Sequence, residues 1–175
     1  MAMRVGWIGT GVMGKSMAGH LQKKGHKLSV YNRTASKADE LVTAGATFKQ
    51  PAEVAKDSDV LFLMLGYPHD VERVVLDSEV GILQHMKRGA FLVDHTTSSP
   101  DLAIRIAEQA SAQGISSIDA PVSGGDIGAK NGKLVTMVGG EKSAVDEMRP
   151  LLDVYSKDVQ NMGKPGAGQF TKAAN

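Results

Sequence analysis

An α/β fold, with a mostly parallel, doubly wound sheet and helices on both of its faces, is what the sequence predicts, and three observations carry that expectation. Short apolar strands alternate with helical stretches along the 175 residues. The run Val60 to Leu65, VLFLML, is apolar without interruption, as in a strand covered on both faces of a parallel sheet. The first strand breaks at once into Gly9, Gly11 and Gly14, spaced G-x-G-x-x-G, while Met13, Met17 and Leu21 recur at helical intervals with Ala18 beside them.

That opening is strand, tight turn, helix. In a dinucleotide turn the first glycine lets the chain reverse, the second lets a pyrophosphate approach the backbone, and the third allows helix and strand to pack closely. The free amides of the helix then face negative charge. The same letters, GTGVMGKS from Gly9 to Ser16, also fit G-x-x-x-x-G-K-S, the phosphate loop of nucleotide triphosphatases. Lys15 would then serve the phosphates and Ser16 a magnesium ion, with Phe91 to Asp94 as the magnesium-side strand. A third reading is a compact turn that binds nothing.

Downstream, Gly25 suits a helix C-cap, and Lys27 to Tyr31 forms a second strand. It ends about twenty residues after the glycine turn, where an NAD site would place an acid for the ribose hydroxyls. Here Asn32, Arg33 and Thr34 stand instead, a cation and two hydrogen-bonding groups that suit a 2′-phosphate and favour NADP over NAD. Asn32 and Thr34 would alternatively turn the chain and cap the next helix, around Lys37 to Thr43 and closed at Gly45. A short extended piece at Thr47 and Phe48 and a helix from Pro51 to Lys56 lead to the Val60–Leu65 strand. Gly66-Tyr67-Pro68 ends that strand, so Met64 and Leu65 lie at its carboxyl end, the edge where open α/β sheets bind ligands.

A helix over Asp70 to Val75 follows, then a connection around Gly81 to Met86 and a strand from Ala90 to Val93. Thr96, beyond that strand, is placed either to hydrogen-bond a nicotinamide ribose or to enter the next helix. Ser98 or Ser99 caps that helix, which Pro100 begins and which buries Leu102, Ile106 and Ala110. A strand from Ile115 to Asp119 runs into Ala120-Pro121-Val122-Ser123-Gly124-Gly125, where a hydroxyl and two bare amides can grip a carboxylate. Leu134 to Val138 is a strand, Glu141 to Leu152 a helix and Val154 to Val159 a last strand. A final helix starts near Ala167, with Lys172 and Asn175 three apart on one face.

Composition narrows the function classes. With 42% hydrophobic and 22% charged residues the chain is globular, and 20 Lys and Arg against 19 acids leave no field to recruit nucleic acid or anionic lipid. The absence of cysteine excludes disulfides, thiolate metal sites and a Cys nucleophile, and the five histidines show no paired metal-ligand spacing, so no metal is expected. No apolar stretch reaches the length of a membrane span, and the first strand starts too early to follow a signal peptide. A cytoplasmic protein is expected, or a mitochondrial one from which a transit peptide has been removed.

Four segments together resemble the β-hydroxyacid dehydrogenases, the family of 3-hydroxyisobutyrate dehydrogenase and of the tartronate semialdehyde, glyoxylate and succinic semialdehyde reductases. They are GWIGTGVMGKSMAGHL at the first turn, VDHTTSSP at 93 to 100, DAPVSGG at 119 to 125 and GAGQFTKAAN at 166 to 175. The resemblance spans the chain in family order and sets aside the triphosphatase reading, making Lys15 and Ser16 ordinary helix residues. It implies a Rossmann-like NAD(P)-binding domain over 1–162, with 163–175 beginning an interdomain helix that leads to an all-helical second domain absent here. It further implies that Gly9, Thr10, Gly11, Val12, Met13 and Gly14 hold the pyrophosphate, and that Asn32, Arg33 and Thr34 hold the adenosine ribose with its phosphate. Met64 and Leu65 would line the middle of the cofactor and Thr96 the nicotinamide ribose. Ser123, Gly124 and Gly125, assisted by Asn175, would take the carboxylate of a small aldehyde or hydroxy acid, and Lys172 would be the catalytic acid/base. The full-length protein would be a homo-oligomer using NADPH, with NAD as the alternative, and this fragment alone would turn over poorly or not at all. Leu65-Gly66-Tyr67-Pro68 departs from the family's commoner leucine-proline turn.

Overall fold

The computed structural model describes residues 1–175. Six parallel strands, β1 (Arg4–Ile8), β2 (Lys27–Tyr31), β3 (Thr47–Phe48), β4 (Val60–Leu63), β5 (Phe91–Asp94) and β6 (Ser116–Asp119), lie in the order β3-β2-β1-β4-β5-β6. The chain moves outward from β1 to β3 and then returns to β4 on the other side of β1. That reversal opens a crevice at the carboxyl ends of β1 and β4, the usual ligand position in such sheets. Beyond β6 the direction changes. Strand β8 (Leu134–Gly139) pairs antiparallel with β6 and with the two-residue β7 (Val122–Ser123), and β9 (Ser156–Gly163) runs parallel to β8.

The helices are α1 (Val12–Lys23), α2 (Asp39–Thr43), α3 (Pro51–Asp57), α4 (Pro68–Leu76), α5 (Pro100–Ala112), α6 (Gly125–Asn131), α7 (Lys142–Leu152) and α8 (Ala167–Ala174). Pleating divides β4 between two cores: Val60 and Phe62 join α1 and α7 on one face, and Leu61 and Leu63 join α3, α4 and α5 on the other. Every residue of β4 is buried, which explains its uninterrupted apolar run. The strand ends at Leu63, two residues earlier than the sequence suggested, because Met64 and Leu65 already belong to the turn. Ser99 is the cap of α5, its Oγ accepting from Leu102 N at 3.1 Å, and Leu102, Ile106 and Ala110 are buried as expected. No helix is long and apolar enough to cross a membrane.

The centre of the larger core is aromatic. Trp7 and Phe62 stack at 5.0 Å between ring centroids, and His95 stacks on both. His95 is fully buried, with Nδ1 2.6 Å from Ala120 O and Nε2 2.6 Å from the Tyr155 hydroxyl, so a neutral ring donates through Nδ1 and accepts through Nε2. Burial holds its pKa down at about 4. Next to it, burial pushes the Asp94 carboxyl up to about 7, against hydrogen bonds from Thr96 that pull it down.

The two shifts act on stability with opposite sign. Asp94 binds its proton more tightly when folded, so its contribution is complete below the unfolded value near 4 and is lost as pH rises through about 7. His95 contributes fully above the unfolded value near 6.5 and loses its contribution as pH falls through about 4. In Asp94→Asn only the histidine dependence remains of the two. Urea unfolding between about pH 4.5 and 6.5 should then show stability rising with pH more steeply than in the parent, by up to ~1.4 kcal/mol per pH unit. Equal slopes would mean that Asp94 is ionised in the folded protein.

Candidate functional site

The three glycines meet three different surroundings. Gly9 has φ +102, and a Cβ there would run into Met64 O, because β4 emerges directly beside the turn. At Gly14 an added Cβ would strike Gly9 O and lie 3.1 Å from Trp7 Nε1, which itself donates to Gly9 O at 2.9 Å. Gly11 is extended, with φ −63 and ψ −170, and nothing lies within 4 Å of the Cβ position. Two glycines are therefore closed in by protein, and the middle one faces open space. The first helical bond of α1 runs from Lys15 N to Gly11 O, leaving the Val12, Met13 and Gly14 amides without acceptors in the helix. No acidic side chain stands in that first turn. The arrangement fits a diphosphate lying against Gly11 at a helix N-terminus. Lys15, the residue a phosphate loop would aim at the nucleotide, instead pairs with Glu40 at 3.1 Å.

A cleft of about 670 Å³ opens over this turn. Of the residues marked from the sequence it is lined by Gly9, Gly11, Val12, Met13, Gly14, Asn32, Arg33, Thr34, Met64 and Leu65. Arg33 and Thr34 are exposed, so their polar ends are available to a ligand. Asn32 is largely spent within the protein, since its Oδ1 accepts from Thr10 N at 2.8 Å and its Nδ2 donates to Thr34 O at 3.0 Å. It braces the glycine turn against the end of β2, while Thr34, at the N-cap of the 3-10 turn, makes no side-chain capping bond. Thr10 lines no part of the cleft, and its hydroxyl is buried without a partner. Thr96 is fully buried and also absent from the cleft wall. Its Oγ1 accepts from Leu65 N at 2.8 Å, so it supports the cleft wall at Leu65 from behind.

Lys37, Arg73 and Val74 also line the cleft and were not marked in the sequence. Lys37 follows Arg33 by four residues in a 3-10 turn at Ala35–Ala38. Arg73 projects from α4 beside Asp70, 3.7 Å away. Arg33, Lys37 and Arg73 give the cleft three cations against the carboxylates of Asp70 and Asp126.

Asp126, in the first turn of α6, borders the cleft and joins it to the Ser123-Gly124-Gly125 segment immediately before. Gly124 has φ +132 and Gly125 φ +62, backbone that a side chain would strain, and both are exposed. Ser123 pairs with Val135 across the β7–β8 ladder, and Met137 lies two residues further along β8, so all three project from the same face. Asn175 reaches that face, its Nδ2 3.5 Å from Met137 Sδ. The structure thus brings Asn175 to the sheet face that bears Ser123. Lys172, half-buried, lies three residues earlier on α8 and makes no ion pair.

The comparisons with known proteins agree with this geometry. Residues 4–163 match the family model described as the NAD binding domain of 6-phosphogluconate dehydrogenase. The chain is 52% identical over 173 residues to the probable 3-hydroxyisobutyrate dehydrogenase-like 1, mitochondrial, of Arabidopsis thaliana, covering 98% of this chain and 52% of that protein. It superposes on 3-hydroxyisobutyrate dehydrogenase of Mycobacterium tuberculosis, solved with L-serine, with TM-score 0.94 at 29% identity, covering 100% of this chain and 59% of that one. Psf3 in complex with NADP+ and 2-OPP gives TM-score 0.93 at 32% identity, covering 98% of this chain and 61% of that one. The chain spans about half the length of the curated relatives it matches. Its fold is Rossmann-like, its relatives are 3-hydroxyisobutyrate dehydrogenases and related hydroxyacid dehydrogenases, and its ligand class is a nicotinamide dinucleotide. With its glycines set as that cofactor requires, the chain belongs to the family of the NAD-binding domain of 6-phosphogluconate dehydrogenase.

Proposed function

We propose that the protein carrying this chain is an NADP-dependent β-hydroxyacid dehydrogenase that interconverts a short 3-hydroxy acid, such as 3-hydroxyisobutyrate, and its semialdehyde. The observation that carries the proposal is the cleft itself. It runs from Arg33 and Lys37, past the open face of Gly11, to Asp126 beside the Ser123–Gly125 segment. In this reading Ser123, Gly124 and Gly125, with Asn175, hold the substrate carboxylate. Lys172 takes the hydroxyl proton as the alcohol carbon loses its hydride, and returns a proton to the carbonyl oxygen in the reverse direction. A bound nicotinamide supplies or accepts that hydride. An ammonium suits the task because it offers a proton and a positive charge where the alkoxide develops.

The domain assignment belongs to the same proposal: 1–162 binds the cofactor, and 163–175 opens the helix leading into a helical second domain through which the full protein assembles as a homo-oligomer. Substrate choice among short carboxylated aldehydes would lie largely with that second domain, and the proposed compartment is the cytoplasm.

NADP preference is supported by the absence of an acid at the end of β2 and by Arg33, Thr34 and Lys37 there. Arg33→Ala should weaken NADPH binding by about 10- to 100-fold, the loss of one charge-assisted contact, and leave NADH within about twofold. Isothermal titration with both cofactors checks this, and equal losses for the two would withdraw the 2′-phosphate assignment. The activity itself is tested by assaying the full-length protein with NADP+ against 3-hydroxyisobutyrate and L-serine. Cofactor binding without turnover on either would favour a binding module over an enzyme.

A further inference from the structure

Helix α8 has eight residues, too few to hold its shape without tertiary contacts. Its docking is unusually well specified. The Asp119 carboxylate at the end of β6 accepts from Gly166 N at 2.8 Å through Oδ1 and from Gln169 N at 2.9 Å through Oδ2, capping the helix from the sheet side. Close approach of the backbones is built in: a Cβ on Gly168 would overlap Met137 O and lie 2.9 Å from Asp119 O. One side chain then fixes the helix laterally. Gln169 is 1% exposed; its Nε2 donates to Thr96 O at 2.7 Å and its Oε1 accepts from Ser98 N at 2.8 Å. Thr96 in turn holds Leu65 N, in the wall of the cofactor cleft, through its hydroxyl at 2.8 Å. A path of buried and part-buried hydrogen bonds therefore joins the cleft wall at Leu65 to α8 through Thr96 and Gln169.

We propose that Gln169 is a positioning residue for Lys172: it registers α8 on the segment after β5, and so fixes the lysine relative to the cofactor wall. The inference rests on the catalytic reading of Lys172 given above. Lysine carries a long flexible stem, so the origin of that stem is what the fold can control. A displacement of about 1 Å in a reacting group can cost about 100-fold in rate. The two groups that Gln169 bonds are backbone atoms of one short segment, so neither can follow the helix if it slides.

The test is a double-mutant cycle in the full-length enzyme, with 3-hydroxyisobutyrate or L-serine as substrate, whichever is turned over. Gln169→Met keeps the length and loses both hydrogen bonds. It should lower kcat by about 10- to 100-fold while NADPH affinity stays within about twofold. In the Lys172→Ala background the same substitution should have almost no further effect, because the group it positions is gone. A purely structural role would instead reduce activity, cofactor affinity and thermal midpoint together, by the same factor in both backgrounds, and would overturn the proposal. Unchanged kcat in Gln169→Met would do so as well. If Gln169→Met does not fold, Gln169→Asn, one methylene too short to reach both partners, decides the matter by the same cycle. Near-normal turnover in Lys172→Ala would instead remove the reading on which the inference rests. Loss in Lys172→Ala with an additive cycle would remove only the role of Gln169.

Discussion

Replacing Lys172 with alanine in the full-length enzyme is expected to lower kcat by about 10²–10⁴-fold while NADPH affinity is retained. The separation follows from position: Lys172 is on α8, and the cofactor cleft is lined by the glycine turn, the end of β2 and the β4–α4 turn. The side chain is half-buried and makes no ion pair, so its removal breaks no pairing in this domain. Lys172→Arg sharpens the test. Arginine keeps the positive charge but does not release its proton in a protein, so a proton-transfer role predicts loss there too. Retained turnover in the arginine variant would reduce the residue to a charge, and retained turnover in the alanine variant would remove it from the mechanism.

A second pair of substitutions should separate binding from folding within the glycine turn. Gly11→Val introduces a side chain where the backbone, at φ −63, accepts any residue and where no protein atom lies within 4 Å of the Cβ position. Thermal stability should change little, while NADPH binding should weaken by about 100-fold or more, since the side chain occupies the space a diphosphate needs. Gly14→Ala should do the reverse, because its Cβ meets Gly9 O. Overpacking of this kind typically costs about 1–3 kcal/mol, and any lost affinity would then accompany a lost structure. Thermal melts with and without NADPH read both effects. Full affinity in Gly11→Val would place the diphosphate elsewhere.

The parts of this fold that were legible in the sequence are those whose cause is local. The strand, tight turn and helix at Gly9–Gly14 could be read from the glycine spacing, with the choice among its three readings coming only from the four-segment resemblance, and the buried strand could be read because an apolar run has few other uses. The cap of α5 at Ser99 and the start at Pro100 are local in the same way. The edge of the sheet was harder to see. Val122–Ser123 is a strand of two residues whose existence depends on pairing with β8, and the antiparallel turn of the sheet after β6 comes with that pairing. Contacts between distant segments were invisible. Asp119 and Gln169 are 50 residues apart, and nothing in either segment announces the bond between them. Thr96 could be located at the carboxyl edge of the sheet from the sequence, but the bond its hydroxyl accepts from Leu65 N, 31 residues away, could not be foreseen. Arg73 escaped notice because only the packing of α4 decides which of its charged residues faces the cleft.

Every role proposed above requires a nicotinamide dinucleotide lying across the Gly9–Gly14 turn. Calorimetric titration of residues 1–175 with NADPH, NADH and MgATP under identical conditions tests this most directly. Saturable one-to-one binding of NADPH, tighter than that of NADH, with no binding of MgATP, is the predicted result. Binding of MgATP with none of either dinucleotide would contradict it.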